Sequence, residues 1–176
     1  MKSIVIYNSQ TGFTKQYAEW ISEAAGCECV SLKQAEKINL ADYDAIVFGS
    51  WCMAGMLKKL DWFKKQMPAL AQAGKKLVVY AVGASPVESP EVAVAMDRIF
   101  TEEEKKLAKL FYCPGGLSYE KMSGFSRFML KMFAKAIASK KGATEDDKKT
   151  AEMISHSYDI SDKKYIEPIV AEISVQ

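Results

Sequence analysis

The sequence predicts a doubly wound α/β domain, from three observations. Four short apolar runs, Ser3–Tyr7, Cys29–Leu32, Ala45–Gly49 and Leu77–Val82, have the length of strands. Three of them are dominated by Ile, Val, Tyr and Phe, as suits strands buried on both faces of a parallel sheet. Stretches with helical spacing separate the runs, giving βαβ units with right-handed crossovers and helices on both faces. No internal repeat or Pro/Ser-rich linker divides the 176 residues, a length suited to one domain over 1–176.

Taken in order, the first strand runs into Asn8–Thr14 and then a helix. In that helix Thr14, Tyr17, Ala18, Ile21 and Ala25 share a face, and Gly26 stands at the C-cap position. Leu57, Leu60, Trp62, Phe63 and Met67 predict a second helix, closed by Gly74 before the fourth strand. A fifth strand, Leu110–Cys113, stops at Pro114-Gly115-Gly116. Beyond it, 119–141 reads as one long helix, followed by a polar break over Gly142–Asp147. A last helix over Asp162–Ile173 would pack on the sheet through Tyr165, Ile166, Ile169, Val170 and Ile173. Pro168 argues against that helix running uninterrupted.

Composition narrows the function classes. Apolar and aromatic residues make up 49% and charged residues 26%, which excludes a disordered or collagen-like chain. At this size roughly 70% of the unfolded surface can be buried, so no disulfide or metal staple is required. Net charge is only +2, but Lys121–Lys141 holds six basic residues and no acidic one, leaving the remainder net acidic. Cys27, Cys29, Cys52 and Cys113 have no zinc-ligand spacing and read as structural thiols, with Cys27 and Cys29 expected on opposite faces of a strand start. The N-terminus enters a strand pattern rather than a secretory signal, and no apolar run approaches the ~18 residues of a spanning helix. A cytoplasmic protein with reduced thiols is expected.

The chemistry concentrates where strands end. Asn8-Ser9-Gln10-Thr11-Gly12-Phe13-Thr14 joins the first strand to a helix, so it offers backbone N–H groups, the positive end of a helix dipole and three hydroxyls. That set suits a phosphate monoester; neither GxxxxGK[ST] nor GxGxxG is present. An ordinary turn with a Ser/Thr N-cap has the same ingredients. The third strand runs into Ser50-Trp51-Cys52-Met53-Ala54-Gly55 and the fourth into Gly83-Ala84-Ser85-Pro86. Ligands of open parallel sheets sit outside such strand ends, and these residues suit a flat aromatic ring. Trp51 alone would equally suit a core aromatic.

Ile4–Thr14, IVIYNSQTGFT, resembles the flavodoxin signature of a hydrophobic residue followed by Y-x-S-x-T-G-x-T. The resemblance implies a flavodoxin-like three-layer sandwich, a five-stranded parallel sheet of order 2-1-3-4-5, and non-covalent FMN. By it, Ser9, Gln10, Thr11, Gly12, Phe13 and Thr14 hold the phosphate. Ser50, Trp51, Cys52, Met53, Ala54, Gly83, Ala84 and Ser85 would border the isoalloxazine ring. The C-terminal third is similar to the menaquinone-dependent protoporphyrinogen dehydrogenases of haem synthesis, through Gly115–Tyr119, Phe125-x-x-Phe128-Met129-x-x-Met132 and Gly142–Asp146. That likeness implies an FMN oxidoreductase passing electrons to a quinone or other acceptor.

The alternative is a soluble flavodoxin-type electron carrier for a protein partner. A pI of about 8.2 and the absence of carboxylates over Ser50–Ala54 weigh against it. No residue is assigned a catalytic role: His156 reads as a surface residue, and Tyr119 and Tyr158 are only candidate donors.

The basic segment has two readings. Phe125, Phe128, Met129, Met132, Phe133, Ala136 and Ile137 form one apolar stripe, with Arg127, Lys131 and Lys135 opposite. The stripe could pack on the sheet with the bases in water. Alternatively, the helix could make a peripheral contact with an anionic membrane on its inner face, through Arg127, Lys131 and Lys135. The same bases could also receive the propionates of a porphyrinogen.

Overall fold

The apolar runs pair as parallel strands. A computed structural model describes residues 1–174. In chain order it contains β1 (Ser3–Asn8), α1 (Phe13–Ala25), β2 (Glu28–Ser31), α2 (Leu32–Ala35), β3 (Ala45–Met53), β4 (Met56–Leu57), α3 (Leu60–Lys64), α4 (Met67–Gln72) and β5 (Lys76–Gly83). There follow α5 (Pro90–Ile99), α6 (Glu102–Leu107), β6 (Lys109–Pro114), β7 (Gly116–Leu117), α7 (Gly124–Ala138), α8 (Glu145–Met153), β8 (Tyr158–Asp159) and α9 (Glu167–Ser174). The parallel strands lie in the order β2-β1-β3-β5-β6, which is 2-1-3-4-5 counting parallel strands alone.

The period of two along each strand sorts the core into two layers. Ile4, Ile6, Ile46, Phe48, Leu77 and Val79 face the layer of Leu60, Phe63, Met67 and Leu70. Val5, Val47, Val78 and Tyr80 face Tyr17, Ala18 and Ile21 of α1 together with Ile169 and Ile173 of α9. Each fully buried Ile, Val or Phe contributes about 1.5–3 kcal/mol, so the two sheet faces hold most of the burial energy. A third, smaller cluster gathers Leu117, Ala134 and Ile154 around the antiparallel pair β7–β8.

Several expectations are corrected. The second strand is Glu28–Ser31, because the Ser31 capping box starts α2 at Leu32. Cys27 and Cys29 pack against the same core layer, since residues two apart in a strand share a face. The second helix is two short ones, α3 and α4, with Leu57 outside them on β4; Pro68 stands in the first turn of α4, where its missing N–H is harmless. The long helix over 119–141 is shorter, because the Ser123 hydroxyl accepts from the Ser126 N–H and begins α7 at Gly124. The polar break contains the Thr144 capping box and the first turn of α8. Asp162 caps a single 3-10 turn over Lys163–Ile166, and α9 follows with Pro168 in its first turn.

The largest correction concerns the α7 stripe. Arg127 was expected outward, toward water or toward an anionic membrane, yet it is half-buried and its Nε is enclosed without a hydrogen-bond partner. Ala134 is buried, with Leu130 and Ile137 packed beside it, while Phe125, Phe128, Met129, Met132 and Phe133 are exposed. The helix docks through its narrow face because α8 presents Ala151 and Ile154 there. The broad apolar face is left outside.

Candidate functional site

Register brings the expected loops to one edge. Asn8 pairs with Ser50, Trp51 with Val82, and Gly83 with Pro114, so the C-terminal ends of β1, β3, β5 and β6 lie side by side. This is the edge of a doubly wound sheet at which ligands bind.

The β1–α1 loop closes on itself. Gly12 has φ +106, a left-handed conformation that disfavours a side chain, and its N–H donates to Ser9 Oγ at 3.1 Å. No side chain caps the N-terminus of α1, which leaves its first-turn N–H groups and dipole for an anion. Ser9, Thr11, Gly12 and Phe13 are half-buried, Gln10 is exposed and Thr14 is buried. The Phe13 ring joins the core layer under α1, so toward an anion this residue can offer only its N–H. A Cβ built on Gly12 would lie 3.7 Å from Lys121 Nζ, which puts an ammonium group directly at the loop. Lys121 was not among the expected site residues. The signal that could have found it was its place at the head of the acid-free basic run.

Tyr80 ties this loop to the sheet. Its hydroxyl donates to the Thr14 carbonyl at 3.0 Å, and a Cβ on Gly49 would fall 1.8 Å from its ring, so only glycine lets the ring pass.

The residues expected at the ring divide into groups. Ser50 through Met53 are the last part of β3 rather than a loop, because Cys52 and Met53 pair with Leu57 and Met56 of β4. The turn between them holds Ala54 at φ 51 and Gly55 at φ 75, the conformation of a two-residue hairpin. Ser50 is buried; its hydroxyl accepts from Asn8 Nδ2 at 2.9 Å and donates to the Lys58 carbonyl at 2.6 Å, so it ties three segments together. Cys52 packs against the core layer below, and burial pushes its thiol up to about 12. Trp51 is half-buried, with Lys58 Nζ 5.9 Å from its ring centre, while Met53 and Ala54 are exposed.

After β5, Gly83, Ala84 and Ser85 are half-buried, and their carbonyls are engaged in turn by the Gly115 N–H at 2.8 Å, Tyr158 Oη at 2.6 Å and Tyr112 Oη at 2.7 Å. What this loop can turn to a ligand is chiefly N–H groups and the Ser85 hydroxyl. Burial raises the phenols of both tyrosines, with Tyr158 at about 12, so both remain donors at neutral pH. Among the described residues no cluster of His, Cys, Asp and Glu could hold a metal ion. His156 is exposed on the turn after α8, with its Nδ1 3.1 Å from the Glu152 carbonyl.

A glycine-hinged loop opening on an uncapped helix, beside two further loops at the same sheet edge, is the arrangement of a doubly wound α/β protein with its ligand edge at the strand C-termini. The chain belongs to the flavodoxin family: the family model for the flavodoxin domain matches residues 4–147. No curated protein matches the sequence. Among solved structures, a flavodoxin from Archaea is 19% identical, covering 67% of this chain and 86% of that one, with TM-score 0.41. A flavoprotein in complex with FMN from Lactobacillus acidophilus is 17% identical, with 64% and 91% coverage and TM-score 0.44. Oxidised flavodoxin 1 from Bacillus cereus is 18% identical, with 69% and 89% coverage and TM-score 0.43.

Proposed function

We propose that this protein holds FMN non-covalently at the strand ends and is an oxidoreductase of the protoporphyrinogen dehydrogenase type, passing electrons to a quinone or another acceptor. Membership of the flavodoxin family supports the cofactor. The observation that carries the reading is the uncapped start of α1 with Lys121 Nζ at Gly12, a cation and N–H cradle matched to a phosphate dianion. When bound, FMN would supply the redox chemistry.

The chain's own residues bind and tune. Ser9, Thr11 and the α1 N–H groups hold the phosphate, with Lys121 adding charge. Trp51 offers its ring face, and the Gly83–Ser85 loop, pinned by Tyr112 and Tyr158, offers donors to the polar edge of the isoalloxazine. Lys58 stands near Trp51 where a low-potential carrier would place carboxylates, so negative charge on the ring is favoured rather than opposed. That distinction favours an enzyme over the soluble electron carrier.

Purified protein should carry stoichiometric FMN with quenched flavin fluorescence. Thr11→Ala should weaken FMN several-fold while leaving riboflavin nearly unchanged, at ~1 kcal/mol or more per charge-assisted hydrogen bond. Equal losses for the two ligands would remove the phosphate assignment. Anaerobic addition of protoporphyrinogen should bleach the flavin and a menaquinone analogue should restore it. Failure of that bleaching with FMN bound returns the chain to the electron-carrier reading.

A further inference from the structure

We propose that the outward face of α7 anchors this protein at the surface of an anionic lipid bilayer. Phe125, Phe128, Met129, Met132 and Phe133 are 67%, 60%, 48%, 51% and 57% exposed. Their spacing of i, i+3, i+4, i+7 and i+8 makes one continuous stripe. The helix does not need that stripe to stay folded onto the protein, because Leu130, Ala134 and Ile137 already pack it against Leu117 and Ile154. A soluble monomer rarely leaves so many large apolar side chains together in water.

Charge identifies the occupant. Residues 121–141 carry six bases and no acid, and among the described residues no ion pair engages any of the six. At about 100° per residue, Lys131 and Lys135 fall on the flank of the stripe, and Lys140 and Lys141 follow the helix end. A second copy of this chain docked on the same face would bring like charge against like, as a two-fold interface opposes identical patches. Anionic headgroups match the lysines, while the boundary of the acyl region accepts the phenylalanines and methionines of a helix lying in the interface plane. Arg127 is half-buried with its Nε enclosed, so the exposed lysines carry the charge.

α7 starts three residues after Lys121, whose ammonium stands at Gly12. A docked helix therefore holds the strand-end site close to the lipid, within reach of an acceptor dissolved there. That consequence rests on the FMN reading; the lipid binding does not.

Flotation of the full chain with phosphatidylcholine vesicles, with and without phosphatidylglycerol, tests the proposal. The protein should float only with the anionic lipid and release at high salt. Lys131→Gln/Lys135→Gln should lower partitioning roughly tenfold, and Phe128→Ser/Phe133→Ser should abolish it. Because these side chains are exposed, circular dichroism should show the variants folded. Phe128→Trp reads insertion without removing the apolar face: its added emission should shift to the blue on anionic vesicles and be quenched by brominated acyl chains. Failure of the wild type to float on either vesicle, or an unshifted Phe128→Trp emission, overturns the proposal. So does a wild-type dimer that Phe128→Ser/Phe133→Ser dissociates, which would make the face a self-association surface.

Discussion

Lys121 follows Gly12 by 109 positions in the sequence, yet its ammonium reaches the loop that opens α1. It is exposed, so its attraction for a phosphate is screened to about 1 kcal/mol, roughly fivefold in affinity. Lys121→Gln should therefore raise the Kd for FMN about fivefold at low salt, with a smaller effect at high salt and almost none on riboflavin. Calorimetric titration of both ligands at two salt concentrations measures this. Riboflavin weakening as much as FMN would mean that Lys121 supports the loop structurally and does not meet the phosphate. If Thr11 and Lys121 meet one anion, as proposed, their combined loss need not equal the sum of the single losses.

At the scale of elements, the short β7–β8 pair works as a clamp on the loop after β5. Tyr158, on β8, reaches across to the Ala84 carbonyl, and Tyr119 anchors the same region to the Ile154 carbonyl at 2.6 Å. On α1, Tyr17 Oη donates to the Pro114 carbonyl at 2.6 Å and accepts from the Asp162 N–H at 3.1 Å, joining the C-terminal segment to the sheet edge. Tyr158→Phe removes one neutral hydrogen bond, worth about 1 kcal/mol, and leaves the packing in place. It should lower the melting temperature by a few degrees and speed amide exchange over 83–86 more than in the β3 core. Unchanged exchange in that loop would show that the clamp holds without the phenol.

The whole molecule carries a predictable response to alkali. Tyr17, Tyr80 and Cys113 are buried in the layer under α1, and Tyr112 is half-buried against the opposite layer; loss of contact with water raises all four above their ordinary values of 10.0 for tyrosine and 9.0 for cysteine. The folded chain keeps these protons at pH values where the unfolded chain releases them. Stability is therefore complete below the ordinary pKa values and falls as pH rises from about 9. Melting temperature should be level between about pH 7 and pH 8.5 and decline above pH 9, as followed by calorimetry. A level profile to about pH 11 would contradict the burial of these groups.

The sequence by itself determined the parallel sheet, its first helix and the place of the glycine loop between them. Those features rest on local information: continuous apolar runs at Ile4–Ile6 and Leu77–Val82, helical spacing from Thr14 to Ala25, and Gly12 between a strand and a helix start. The strand order came from the likeness of Ile4–Thr14 to a family signature, and register brought the ends of β3 and β5 to the same edge as that segment. Tertiary structure alone decided which face of α7 is covered. Periodicity marks an apolar stripe but does not say whether α8 or water will meet it, and here the small Ala134 face fits α8 while the phenylalanines stay outside. It alone decided that Cys52 turns into the core and that Ser50 spends its hydroxyl on Asn8 and Lys58. Lys121 at Gly12 is a decision of the same kind: the two residues are far apart in the chain, and only the folded path between them brings the charge to the loop.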